Sequence, residues 1–162
     1  MQSLSTQVIG CIGKCTSGLN REELDQITDN INRTLVHPRG REIFKRYLKK
    51  RELTDNIECL ELYETCCEFL EEGKHQSQSK KELPLEVLID NVTRVREMAE
   101  DLDGVPQIDM AILQSLNEAL NSRSRVALLG VLENTRDRCR NHLRRVHESF
   151  KTYATEPCPL AK

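Results

Sequence analysis

Apolar side chains recur along this chain at intervals of three and four residues, and this spacing constrains the fold more than any other feature. One such stripe contains Leu24, Ile27, Ile31 and Leu35, and similar stripes follow over most of the chain. Residues three and four apart share one face of an α-helix, whereas a half-buried strand alternates apolar and polar residues. Only 7 glycines and 5 prolines interrupt the 162 residues. The spacing therefore predicts an all-α protein.

Capping residues and a proline predict where the first helices begin and end. The first helix follows Asn20, which can act as its N-cap, and it is expected to end near Val36. His37 precedes Pro38, and the residue before a proline is displaced from the helical region. Pro38 itself suits the first turn of the next helix. We therefore expect one helix before His37 and a second one after it.

Similar signals place the central helices. Thr54 can cap a third helix, which we expect to stop at Gly73 because glycine is common just after a helix end. The polar, aperiodic residues 73–82 predict a mobile connection. A fourth helix is predicted to start at Pro84 and to stop before Gly104.

The C-terminal half of the chain predicts a short helix and then a long apolar segment. The apolar stripe of the short helix is Met110, Leu113, Leu116 and Leu120. The long segment runs from Val126 to Phe150 and contains Gly130 and the polar residues 133–137. Because glycine lowers helix propensity, two helices or one kinked helix are expected there.

Charge and hydropathy set limits on the class of protein. Lys and Arg number 24 against 26 Asp and Glu, so the positive field that favours nucleic-acid binding is missing and no such partner is predicted. The longest apolar run, 126–132, is too short to cross a bilayer. We expect one folded domain over 20–153, a flexible leader over 1–19 and a loose tail over 154–162, in a cytoplasmic protein.

The seven cysteines are predicted to be mostly reduced thiols, because their number is odd and a chain of this length does not need disulfides. Cys11 and Cys15 lie beside small and apolar residues, with Lys14 nearby. Reversible acylation of these two cysteines would give weak peripheral association with a membrane. An unmodified, weakly packed leader is the alternative.

Metal binding and covalent catalysis are not predicted. Cys139, His142 and His147 stand at positions i, i+3 and i+8, which give no common helix face, and no fourth ligand follows. Cys66 and Cys67 lack a histidine within one helical turn that would activate a thiol. Phosphate-binding loops and hydrolase motifs are also absent from the sequence. We expect no cofactor, no metal and no bond chemistry carried out by this chain.

One segment, HPRGREIFKRYLKKRELTDNIECLELYE, resembles the early part of a regulator of G-protein signalling (RGS) domain. In that family a helix of the form xGxxxFxxFL precedes a short acidic turn, an asparagine and a helix with an apolar pair and a glutamate. The matching residues are Gly40, Phe44, Tyr47, Leu48, Asn56, Ile57, the pair Cys59 and Leu60, and Glu64. The likeness covers residues 37 to 70.

This resemblance implies an RGS-like bundle of about seven to nine helices whose last helices close against the first. It also implies binding to a GTP-bound Gα subunit. Asn56 would help to hold the Gα glutamine that orients the attacking water, while Gα supplies its own arginine. Asp55 would lie beside Asn56 at the contact. The late Asp-Ser-Tyr-x-Arg-Phe stretch of the family would correspond to Asp137 with Arg140 or Arg144.

The chain departs from the family where Cys59 and Leu60 replace a Phe-Trp pair. Two functions therefore stay open: a GTPase accelerator acting on Gα, and an RGS-like docking module without that activity. The docking module would use a basic face consisting of Arg39, Arg41, Lys45, Arg46 and Lys49, extended by Lys50 and Arg51. The simpler alternatives are a solvated helix face and, for Asn56, a bond to its own backbone.

Overall fold

The computed structural model describes residues 21–78 and 83–155, and within those ranges the chain forms helices and no strand. The helices are α1 (Arg21–Ile27), α2 (Ile31–Val36), α3 (Pro38–Lys50), α4 (Thr54–Gln78), α5 (Leu85–Glu100), α6 (Met110–Ser122) and α7 (Arg125–Thr155). The prediction of an all-α fold is confirmed. The predicted leader and most of the predicted tail lie outside the described residues.

The first predicted helix is divided into two, so the expectation of one continuous helix up to Val36 is wrong. At the break, both the amide and the hydroxyl of Thr28 donate to the Leu24 carbonyl, over 3.0 and 2.8 Å. Asn30 has an extended backbone and caps α2, because its side-chain oxygen accepts from the Arg33 amide over 3.0 Å. This cap stabilises the start of a new helix at Ile31.

The predicted boundary at His37 and Pro38 is confirmed. His37 has an extended backbone, with φ −91° and ψ 123°, and Pro38 opens α3. The His37 ring also caps the helix, since its Nδ1 accepts from the amides of Arg39 and Gly40 over 3.1 and 3.4 Å. The ring therefore accepts from amides that have no partner inside the helix.

Two of the later helix ends, and the buried face of α6, differ from the predictions. α4 continues through Gly73 to Gln78, because glycine ends a helix only when it takes the left-handed conformation, and Gly73 does not. α5 stops at Glu100, a few residues earlier than expected. α6 contains the predicted stripe residues, but Met110, its first residue, has a side chain that is 77% exposed. The buried face of α6 consists of Ile112, Leu116 and Ala119.

α7 is one helix of 31 residues, so the alternative of two separate helices is wrong. Gly130 lies in the helix on an exposed side, where an added Cβ would meet no atom within 4 Å. Its propensity cost, about 1 kcal/mol relative to alanine, is small beside the burial of Leu128, Leu132 and Leu143, which have no exposed surface. The polar stretch is also compatible with a helix, since Thr135 donates to the Val131 carbonyl.

The described residues group into two compact units. The first contains residues 21–57 and 143–155, and the second contains 58–78 and 83–142. The core of the first unit includes Leu35, Phe44, Leu48 and Phe150. The core of the second unit includes Leu60, Leu62, Leu88, Ile112, Leu116, Leu128 and Leu132. Each unit thus has its own interior of fully buried apolar side chains.

Candidate functional site

An aromatic cluster joins α3 to the C-terminal part of α7 in the first unit. The Phe44 and Phe150 ring centroids lie 4.9 Å apart, and Tyr47 lies 5.4 Å from both Phe150 and Tyr153. Tilted and edge-on contacts at these distances are favourable for aromatic pairs. Phe44 and Phe150 are fully buried and Tyr47 is 3% exposed. α3 is therefore held firmly by the helix that ends the described chain.

His147 belongs to the same cluster and is the buried polar group at its centre. Its Nε2 lies 2.8 Å from the Thr34 hydroxyl oxygen. The Thr34 hydroxyl donates its proton to the Ile27 carbonyl over 2.9 Å, so Nε2 of the neutral ring must carry the hydrogen and donate to Thr34. This pair links α2 to α7. Burial lowers the pKa of His147 to about 4, and Lys151 adds to this effect while Glu148 opposes it.

Gly40 is required where α3 crosses the end of α1. A Cβ at this position would lie 2.5 Å from Cγ2 of Ile27 and 2.8 Å from the Thr34 carbonyl oxygen. The Thr34 contact is to backbone, which cannot rotate away as a long side chain can. The close approach of α3 to these residues therefore explains the glycine of the RGS-like pattern in physical terms.

A tight turn then leads from α3 into α4 and fixes where Asn56 lies. The Leu53 amide donates to the Leu48 carbonyl over 3.0 Å, and the Glu52 amide donates to the Lys49 carbonyl over 3.1 Å. These two bonds form a Schellman motif, in which the residue after the cap takes the left-handed conformation. Glu52 has that conformation, with φ 56°.

Asn56 occupies the first turn of α4 and is half-buried, beside the exposed Asp55. Within the first unit, the Asn56 side chain forms none of the hydrogen bonds found. The next residue, Ile57, is fixed by its backbone, since its amide donates to the Leu53 carbonyl over 3.0 Å. The predicted contact residues Asn56 and Asp55 are thus adjacent at a helix start. Their proposed role stays a prediction.

The other predicted contact residues lie in the second unit. The Asp137 carboxylate accepts from Arg136 Nε and Arg140 Nη2, each over 3.1 Å. Glu64 is half-buried on α4. Tyr63, the residue before Glu64, has a pKa of about 12. Burial is the main cause of this increase and Cys67 adds to it, while Arg140 and Arg136 oppose it. The structure therefore brings α4 near residues 136–140 of α7 within this unit.

The basic face lies on the side of α3 opposite the aromatic cluster. Arg39, Arg46 and Lys49 are exposed, and Arg41 and Lys45 are half-buried. Arg46 forms an ion pair with Glu42 over 2.8 Å, and an Arg41 guanidinium nitrogen lies 3.5 Å from the Leu35 carbonyl oxygen. The face is therefore only partly neutralised by its own helix.

Cys59 and Leu60, which replace the aromatic pair of the family, have no exposed surface. The Cys59 thiol donates to the Cys139 carbonyl over 3.5 Å. Contact with Cys59, and then burial, raise the pKa of the Cys139 thiol, and burial raises that of Cys66. No disulfide joins the cysteines in the described ranges, which are Cys59, Cys66, Cys67 and Cys139. The raised pKa keeps the Cys66 and Cys139 thiols protonated, and these two buried side chains serve as small apolar groups.

The three residues weighed as zinc ligands have separate partners. Cys139 contacts Cys59, His142 Nδ1 lies 2.8 Å from Oε1 of Gln107, and His147 bonds Thr34. Over residues 21–78 and 83–155, no group of three His, Cys, Asp or Glu residues is arranged to hold a metal ion. Among the described helices, none has the length and apolarity needed to span a membrane. Cys11 and Cys15 lie outside the described part.

Comparison of the chain with known protein families, characterised proteins and solved structures gave no match.

Sequence reasoning missed the residues that hold the aromatic cluster together. Thr34 and His147 are 113 positions apart, and neither forms part of a local motif. The sequence pattern indicates His147 only as a possible metal ligand, and no local signal marks Glu52 as a left-handed turn residue. The local signal for the bond between Thr34 and His147 is the position of the histidine. It stands four residues after Leu143 and three before Phe150, on the apolar face of α7.

Proposed function

We propose that this protein is an RGS-like interaction domain that binds a GTP-bound Gα subunit and accelerates its GTP hydrolysis. The observation that carries the proposal is the position of Asn56. This amide lies half-buried in the first turn of α4, directly after a Schellman turn and a helix held by buried aromatic rings. The RGS-like pattern of the sequence requires an asparagine at this place.

The packing of the first unit is a second support for the proposal. The resemblance implies that the last helices close against the first. Phe150 of α7 packs on Phe44 and Tyr47 of α3, and Lys151 donates to the Asp29 carbonyl over 3.1 Å. The C-terminal part of α7 thus contacts both α3 and the break between α1 and α2. These contacts support the expected closure of the last helix against the first ones.

The proposed mechanism assigns no bond-making step to this chain. GTP hydrolysis needs a water held in line with the γ-phosphate, and Gα orients that water with its own glutamine. The Asn56 amide has two N–H donors and a carbonyl acceptor, so it can bond a glutamine side chain in one fixed orientation. A glutamine side chain that is already oriented before the reaction lowers the activation barrier, because it need not reorient in the transition state. Asp55, exposed beside it, would contact the same partner.

Single-turnover GTP hydrolysis by representative Gα subunits tests this function. The purified protein should accelerate hydrolysis, and Asn56→Ala should reduce that acceleration by about 100-fold, as expected for the loss of one preorganised donor. Asn32→Ala is the matched control, since Asn32 is exposed on α2 of the same unit and should leave the rate unchanged. No acceleration with any Gα, or equal losses in the two variants, would contradict the proposal.

A docking module without GTPase activation is the second candidate. The arrangement around Asp137 favours it, because both Arg136 and Arg140 bond this carboxylate and the contact residues expected from the family's late stretch are engaged with each other. Co-purification with Gα that is loaded with a transition-state mimic distinguishes the two. A complex that forms without any increase in hydrolysis supports docking, and a complex with faster hydrolysis supports activation.

A further inference from the structure

Five basic side chains form an exposed cationic surface on and beside α3: Arg39, Arg46, Lys49, Lys50 and Arg51. Arg39, Arg46 and Lys50 follow one another after seven and four residues, so they fall within about 40° around the helix axis and span about 16 Å along it. Two exposed carboxylates lie beside these groups: Glu42, which pairs with Arg46, and Glu52, which follows Arg51. The five basic side chains outnumber these two carboxylates, so the surface keeps a net positive charge.

The cationic surface has a rigid support. The adjacent side of α3 buries Ile43, Phe44, Tyr47 and Leu48, and the ring contacts with Phe150 and Tyr153 fix the orientation of the helix in the first unit. The Arg51 guanidinium lies 5.7 Å above the Tyr47 ring centroid, a cation–π distance that holds this side chain beside the end of the helix. The positive groups are thus presented together rather than on a flexible segment.

The composition of this surface distinguishes between possible partners. The large apolar side chains exposed in the described ranges are Val36, Met110 and Val126, and none of them belongs to α3. Protein interfaces usually contain buried apolar or aromatic anchors and are depleted in lysine. A helix face that is rich in lysine and arginine and has no such anchors is instead complementary to a negatively charged surface such as a lipid membrane. Clusters of about four to eight Lys and Arg residues on a helix bind anionic phospholipids.

We infer that α3 is a membrane-contact surface that binds the anionic phospholipid headgroups of a bilayer by electrostatic attraction. Contact requires no insertion, because α3 exposes no large apolar side chain to enter the hydrocarbon region. It also requires no acylation of Cys11 or Cys15, which distinguishes it from the leader-based association. The inference does not depend on Gα, since the groups involved belong to α3 and its end alone.

Co-sedimentation of unacylated, bacterially expressed protein with lipid vesicles tests the inference. We expect binding to vesicles of equal parts phosphatidylcholine and phosphatidylserine and none to pure phosphatidylcholine. Raising the salt from about 0.1 M to about 0.5 M should weaken binding, because the Debye length shortens. Equal binding to both vesicles, or no binding to the acidic ones, would overturn the inference. Retention by duplex DNA without vesicle binding would also overturn it in favour of a nucleic-acid surface.

A pair of charge variants locates the contact. Arg39→Gln with Lys49→Gln removes two charges from the cationic surface and should lower vesicle partitioning by about 25-fold, at about fivefold per charge. Arg33→Gln with Arg145→Gln removes the same charge from exposed positions on α2 and α7 and should lower it less than about threefold. Equal losses in the two variants would refute the assignment to α3. Far-UV circular dichroism verifies that both variants keep their helices.

Discussion

Replacing His147 with glutamine should remove much of the sensitivity of this protein to mild acid. His147 is 4% exposed, contacts Phe44 and Phe150, and donates to Thr34. Protonation would put a charge inside this cluster. The pKa of about 4 in the folded protein means that the unfolded chain binds the proton more readily, since an ordinary histidine titrates near about 6.5.

The direction and size of the effect follow from this difference. Because the folded pKa is lowered, the contribution of His147 to stability is complete above the unfolded pKa and decreases as the pH falls from about 6.5 towards about 4. Between about pH 7 and about pH 5 the free energy of unfolding should drop by about 2 kcal/mol through this residue alone. The full difference, below the folded pKa, is about 3 kcal/mol.

Urea unfolding at the two pH values measures this loss. The titration of all other groups is shared by the parent protein and His147→Gln, so the difference between their pH profiles isolates the histidine. Glutamine can still donate to the Thr34 hydroxyl but cannot take up a proton in this pH range. If the variant lost as much stability as the parent between the two pH values, the buried neutral histidine would be refuted.

Three other substitutions test the packing of the first unit and the continuity of α7 by thermal or urea unfolding. Phe44→Ala should cost about 3–5 kcal/mol, because a fully buried ring and its contact with Phe150 are lost; a cost below about 1 kcal/mol would contradict the aromatic cluster. Gly40→Ala should cost about 1–3 kcal/mol, since its Cβ would collide with the Thr34 carbonyl. Gly130→Ala, with open space around the site, should instead add about 0.5–1 kcal/mol of stability. Equal effects of the two alanines would contradict the placement of these glycines.

Local features of the sequence were sufficient for the fold class and for several helix boundaries. The three- and four-residue spacing of apolar side chains is a property of one helix face, so it indicates helices without knowledge of their partners. The boundary at His37 and Pro38 was predictable for the same reason, because the steric restriction acts between neighbouring residues. The asparagine at position 56 could likewise be placed at a helix start from Thr54 alone.

Other boundaries depended on contacts that the local pattern does not contain. α1 and α2 are separate helices because the extended Asn30 caps a new helix start, although Leu24 and Ile31 would also fit one continuous stripe. α7 is continuous across Gly130 because buried residues on its other side outweigh a weak local propensity. Met110 has an apolar side chain, so the sequence pattern predicts it to be part of the core. It is exposed because tertiary packing decides which face of α6 is covered.

The sequence by itself thus determined the helical class, the helix boundary at His37 and Pro38 and the RGS-like order of Gly40, Phe44, Tyr47 and Asn56. Tertiary structure alone decided that Gly40 lies against the Thr34 backbone, that His147 is neutral and bonded to Thr34, and that Phe150 covers Phe44. The physical reason is range. Capping and periodicity act within one helix, whereas these contacts join different helices, and those of His147 and Phe150 join positions more than a hundred residues apart. Such residues become neighbours only when the apolar faces of the helices are buried together.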